Sequence, residues 1–124
     1  MSRRILIIDD EEIVLRSCER ILAGQDFEIK TCQDGLAGLR TLDEAHFDIL
    51  ILDIKMPRID GLEVLQRAKE THPDVDVIMI TGLHEIEAAV QAMKLGAFDY
   101  LPKPFDPEEL QLAVERAFER RKLM

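Results

Sequence analysis

Five short apolar runs recur along the chain, at 4–9, 27–32, 48–53, 75–81 and 98–101, with helically spaced residues between and after them. Residues 5–8 are unbroken hydrocarbon, the pattern of a strand whose two faces are both covered. Val14, Cys18, Ile21 and Leu22 share one helical face, as do Ile86, Ala89, Val90 and Met93, and then Leu110, Ala113, Val114 and Ala117. The punctuation agrees with this parsing. Gly24 and Gly96 fall where helices should end, and Asp60-Gly61 and Asp106-Pro107 fall where helices should start.

Five β-α units in so short a chain imply an α/β domain, a parallel sheet with helices on both faces. Closing a TIM barrel takes more units than the chain holds. Among doubly wound sheets, five strands favour the flavodoxin-like order 2-1-3-4-5. With 124 residues and no linker-like or low-complexity segment, the expectation is one domain over 1–124.

Charge and composition narrow the partners. Twenty-five acids against 16 bases give a net charge of −9, which sets the domain against binding nucleic acid directly or lying on an anionic membrane. No apolar stretch approaches a membrane span and no signal-peptide pattern precedes Ile5, so the expected location is the cytoplasm. Cys18 and Cys32 are too far apart for a CxxC pair, and no histidine is spaced to complete a zinc set, so both are expected as reduced thiols. His46, His72 and His84 sit near element ends, where surface or capping roles are expected.

The stretch "ILIIDDEE" places four carboxylates directly after the first strand. Glu11 and Glu12 read as a helix opening, favoured by the macrodipole. Asp9 and Asp10 read differently because of the sheet order: ligands gather where that order reverses, between strands 1 and 3. Strand 3 ends in Asp53, so three carboxylates converge. Two like charges about 5 Å apart repel by roughly 3 kcal/mol at an effective dielectric near 20. A helix N-terminus returns only about 0.3–1 kcal/mol to each acid. Such a trio must take up a proton, splay its side chains or bind a cation. Oxygen-only donors open to water suit Mg2+, together with a phosphoryl ligand. Strand 4 ends at Thr81, a hydroxyl followed by the side-chain-free Gly82. Strand 5 runs into "YLPKPF", which delivers Lys103 to the same edge, held between Pro102 and Pro104. Metal, hydroxyl and ammonium together make a set for phosphoryl transfer, with an aspartate as nucleophile.

"IIDDE", "LDIKMPRIDG", "MITG" and "FDYLPKPF" follow one another in that order, and with them essentially the whole chain resembles the receiver domain of bacterial two-component response regulators. The stretch "GAFDYLPKPFDPEEL" is similar to receivers of the NtrC type. The resemblance implies a phosphoacceptor switch that assists its own phosphorylation and dephosphorylation, rather than a turnover enzyme. It makes Asp53 the phosphoacceptor, has Asp9, Asp10, Asp53 and the backbone carbonyl of Lys55 hold Mg2+, and sets Thr81 and Lys103 on the phosphoryl oxygens. Tyr100 matches the switch aromatic coupled to Thr81, and the Lys103-Pro104 bond matches one that is cis in the family. The implied partners are a sensor histidine kinase and a C-terminal or separate effector with ATPase or DNA-binding domains. The fourth helix, fifth strand and fifth helix would form the switching face, through which a homodimer could also form. Lys55 and Leu83 match the two positions that flank the phosphoryl group. Leu83, unable to orient an attacking water, is expected to slow dephosphorylation; Lys55 either reaches the phosphoryl group or lies in solvent.

Two other chemistries share this fold or nucleophile. A flavin carrier needs hydroxyls and backbone donors after strand 1, where this chain has acids. A haloacid-dehalogenase-type phosphatase generally has a second carboxylate two residues after its nucleophile, where this chain has Lys55.

Overall fold

In the computed structural model, which describes residues 3–82 and 84–122, each apolar run becomes a strand and each periodic stretch a helix. The order is β1 (Arg3–Ile8), α1 (Glu12–Leu22), β2 (Phe27–Cys32), α2 (Gly35–Glu44), β3 (Ile49–Asp53), α3 (Gly61–Thr71), β4 (Asp76–Thr81), α4 (Ile86–Lys94), β5 (Asp99–Pro102) and α5 (Pro107–Lys122). All strand pairs are parallel and the sheet order is β2-β1-β3-β4-β5, the flavodoxin-like order expected from the sequence. Leu83, and with it the expectation about dephosphorylation, lies outside the described residues.

The unbroken hydrocarbon of β1 and β3 is explained by two core layers. On one face Leu6, Ile8, Leu50, Leu52, Val77 and Met79 pack with Leu42, Val64, Leu65 and Ala92 from α2, α3 and α4. On the other, Ile5, Ile7, Ile51 and Ile80 pack with Leu15, Leu22, Leu110 and Val114 from α1 and α5. Successive side chains of a strand point to opposite faces, so both must be apolar when both are covered. Each fully buried Ile or Leu contributes roughly 1.5–3 kcal/mol relative to exposure.

Turn chemistry fixes the helix ends. The Asp34 and Asp60 carboxylates cap α2 and α3, accepting from the N–H groups of Ala37 at 2.8 Å and Glu63 at 3.0 Å. Gly24 and Gly96 follow α1 and α4 with φ of 83° and 105°, as expected of residues just past a helix C-terminus. At the amino end of the sheet, away from the acidic crevice, buried Asp76 pairs with Arg120 and Arg121. Arg121 also donates to the carbonyl of Asp74 at 2.7 Å, so the last turn of α5 is tied to the start of β4.

The apolar stripe of α4 lies differently from those of α1 and α5. Of Ile86, Ala89, Val90 and Met93, only Ala89 is buried; the others are 73%, 50% and 40% exposed. The core is met instead by the small side chain of Ala92, with Ala88 partly buried against it. Among the described residues, no helix is long and apolar enough to cross a membrane. Cys18 and Cys32 are free thiols; burial pushes the Cys18 thiol up to about 12, which leaves it unreactive.

Candidate functional site

Parallel pairing brings four strand ends to one edge. Ile8 lies opposite Leu52 in the β1–β3 register, so Asp9 and Asp10, one and two residues past β1, stand beside Asp53 at the end of β3. Asp53 in turn lies opposite Ile80, next to Thr81 at the end of β4. The N–H of Lys103 donates to the Thr81 carbonyl at 2.7 Å, carrying β5 pairing one residue further and setting the lysine at the same edge. The Lys103-Pro104 bond is cis.

The crevice is held tightly from below. Between β3 and α3 the chain folds back so that the Gly61 N–H donates to the Ile54 carbonyl at 2.6 Å. A Cβ at Gly61 would collide with the backbone carbonyl of Asp53, so only glycine lets this loop close under the end of β3. Met56 and Ile59, buried in the same loop, secure it.

The three aspartates offer carboxylate oxygens that all lie within 4.8 Å of one another. Asp9 and Asp53 are buried and Asp10 is exposed, so the cluster opens to solvent on one side. Lys103 Nζ stands 3.6 Å from Asp53 Oδ1 and 3.7 Å from Asp9 Oδ2. Burial, reinforced by the charge of Asp9 and opposed by Lys103, pushes the Asp53 carboxyl up to about 7. Burial likewise holds Asp9 above the usual carboxylate range, against the N–H of Glu11 that donates to its Oδ1 at 2.9 Å. Lys103 loses some basicity to its own burial, but the carboxylates of Asp53, Asp9 and Glu11 outweigh that and hold its ammonium above the ordinary lysine value.

One oxygen is left over. Asp9 Oδ2 is buried and accepts no hydrogen bond among the described residues. Its nearest cation, Lys103, is too far for a hydrogen bond at 3.7 Å. An orphaned carboxylate oxygen beside two others is a set of acceptors without a donor, and it fits a hard divalent cation such as Mg2+. Thr81 is buried at the crevice wall. The Lys55 side chain, two residues past β3, is exposed and lines a surface groove with His84, Glu85 and Glu87. Tyr100 is 46% exposed and borders a groove of about 570 Å³ lined by Thr81, Gly82, Ile86, Val90 and Met93.

The profile of the response regulator receiver domain matches residues 5–115, nearly the whole chain. The chain belongs to that family. This receiver is 42% identical over 118 residues to the DNA-binding transcriptional regulator NtrC of Escherichia coli K12. It is 40% identical over 116 residues to the regulatory protein AtoC of the same organism. Each alignment takes in 94% of the receiver and 25% of the relative, so the chain spans about a quarter of the length of these proteins. Among solved structures, a response regulator receiver domain from Clostridium thermocellum superposes with a TM-score of 0.92 at 36% identity, covering 98% of each chain.

Two residues near the crevice have contacts that sequence reasoning missed. Glu11, read only as a helix opening, makes no side-chain cap on α1; its Oε1 lies 3.5 Å from Lys103 Nζ. Glu85, before α4, turns its carboxylate back onto the N–H of Gly82. A run of acids after a strand was the available signal for Glu11. None existed for Glu85, whose contact depends on how its loop folds.

Proposed function

We propose that this receiver domain, spanning 1–124, accepts a phosphoryl group on Asp53 from the phosphohistidine of a sensor histidine kinase. An Asp53 oxygen forms the new P–O bond as the P–N bond breaks, and the imidazole leaves with the bonding pair. The observation that carries this reading is the position of Asp53: a buried carboxylate with two other aspartates within 4.8 Å and the Lys103 ammonium 3.6 Å away.

Asp9, Asp10, Asp53 and the backbone carbonyl of Lys55 would hold Mg2+. When bound, the ion offsets the charge of the carboxylates and of the phosphoryl oxygens. Lys103 steadies the ionised form of Asp53 needed for attack and places positive charge where the phosphoryl oxygens gather. The Thr81 hydroxyl donates to one of those oxygens once the group is attached.

Phosphorylation replaces the Asp53–Lys103 pairing and recruits Thr81, which biases a two-state equilibrium. Tyr100 turns from solvent into the groove beside Thr81, and the surface of α4, β5 and α5 changes. The exposed Ile86, Val90 and Met93 make that surface apolar enough to serve an effector or a second copy of the domain. In a longer cytoplasmic regulator the output would be an ATPase or DNA-binding domain, giving control of transcription. The domain is a switch, and its only chemistry is on its own aspartate.

The test is incubation with acetyl phosphate in Mg2+ or in EDTA. The expected result is phosphoryl incorporation that depends on Mg2+; equal incorporation in EDTA would contradict the proposed metal role.

A further inference from the structure

Glu85 Oε1 accepts a hydrogen bond from the backbone N–H of Gly82 at 2.6 Å. Gly82 directly follows Thr81, so this N–H is a backbone donor at the carboxyl end of β4. The contact is mutual, since the N–H of Glu85 donates to the Gly82 carbonyl at 3.2 Å. The Glu85 carbonyl then accepts from Ala89 at 3.0 Å, within the first turn of α4. One residue thus joins the edge of the crevice to the start of the helix whose apolar face is exposed.

The close approach needs a glycine. A Cβ at position 82 would collide with Glu85 Oε1, the mobile end of a side chain. The carboxylate is also near enough to matter electrostatically, because its charge adds to those that raise Asp53.

We propose that the Glu85 carboxylate is a latch on the phosphorylation site, holding the Gly82 N–H and releasing it when a phosphoryl group on Asp53 requires that donor. A phosphoryl group carries about −1.5 to −2 charges and strong acceptor oxygens, so it competes with a carboxylate for an N–H and repels it. Until the latch opens, it withholds a donor from the developing charge and adds a negative charge beside it, which slows phosphorylation. Its opening frees the residue that immediately precedes α4. The proposal rests on Asp53 being the acceptor and names a residue that governs how readily that acceptor is used.

Two variants open the latch by different means. Glu85→Ala removes the carboxylate; because Glu85 makes no side-chain cap on α4 among the described residues, the helix should persist. Gly82→Ala keeps Glu85 but evicts it. With acetyl phosphate and Mg2+, both should take up phosphoryl about tenfold faster than the parent, equivalent to about 1.4 kcal/mol. Glu87→Gln, in the exposed first turn of α4, should match the parent. In the unphosphorylated protein, NMR-detected exchange of the Gly82 amide proton should also speed up in Glu85→Ala, a readout independent of metal and of phosphoryl transfer. Parental uptake rates in Glu85→Ala, or an equal gain in Glu87→Gln, would overturn the latch while leaving Asp53 as acceptor. Failure of the parent to take up any label would instead remove the acceptor reading, and the latch with it.

Discussion

Lys103 Nζ lies 3.6 Å from Asp53 Oδ1, joining the end of one strand to the loop after another. The pair sits where the Asp9 charge opposes ionisation of Asp53, and Lys103 is the cation that counters it. Replacing Lys103 with alanine should push the Asp53 carboxyl higher still and withdraw positive charge from the phosphoryl oxygens. Uptake from acetyl phosphate should fall by about tenfold or more, since one charge-assisted contact is worth roughly 1.5–3 kcal/mol. Far-ultraviolet circular dichroism should be unchanged, because Lys103 lies outside both core layers.

Burial on folding raises the Asp53 carboxyl to about 7 from its ordinary value of 3.8, and raises Asp9 in the same direction. Between about pH 4 and pH 7 the folded protein therefore holds protons that the unfolded chain releases. Stability must fall as pH rises through that window, the opposite of an acid that gains a cationic partner. In EDTA, the unfolding free energy from urea titrations should decline from pH 5 to pH 7.5 by an amount on the order of 2 kcal/mol. Asp53→Asn should flatten much of that slope.

Mg2+ should stabilise the domain by filling the acidic crevice. At ten times its dissociation constant the gain is about 1.4 kcal/mol. In a domain of this size that corresponds to roughly 4–8 °C in melting temperature. Asp10 is exposed, so Asp10→Asn should melt close to the parent in EDTA and lose most of the Mg2+-dependent rise. A full rise in Asp10→Asn would remove that residue from the ligand set.

The sheet was legible because residues 5–8 and 49–52 are apolar at every position, which only a doubly covered strand explains. Once the strand order followed, so did the convergence of Asp9, Asp10 and Asp53. Helix α4 was legible as a helix but not in its orientation. Periodicity marks an apolar stripe, yet it is the small Ala89 and Ala92 that are buried, Ala92 within the core, while the larger Ile86, Val90 and Met93 stay outside. The difference is measurable. Leu110→Ala, in the core on α5, should cost about 2–5 kcal/mol in chemical denaturation. Ile86→Ala should stay within about 0.5 kcal/mol of the parent.

At the site, residues at strand ends could be placed from topology, because parallel pairing sets where each strand stops. Glu11 and Glu85 could not. Their contacts with Lys103 and Gly82 depend on side-chain direction in the loops after β1 and β4, which no apolar pattern encodes. The exposed Lys55 side chain sits beside the second of these loops rather than in the acidic cluster, in a groove shared with Glu85.

The central claim is that Asp53 is the phosphoacceptor, and the most direct measurement compares the parent with Asp53→Asn after exposure to acetyl phosphate and Mg2+. Intact-protein mass spectrometry should find one added phosphoryl group on the parent and none on Asp53→Asn, with peptide mapping placing it on Asp53. Equal phosphorylation of the two proteins, or mapping of the group to Asp9 or Asp10, would contradict the account.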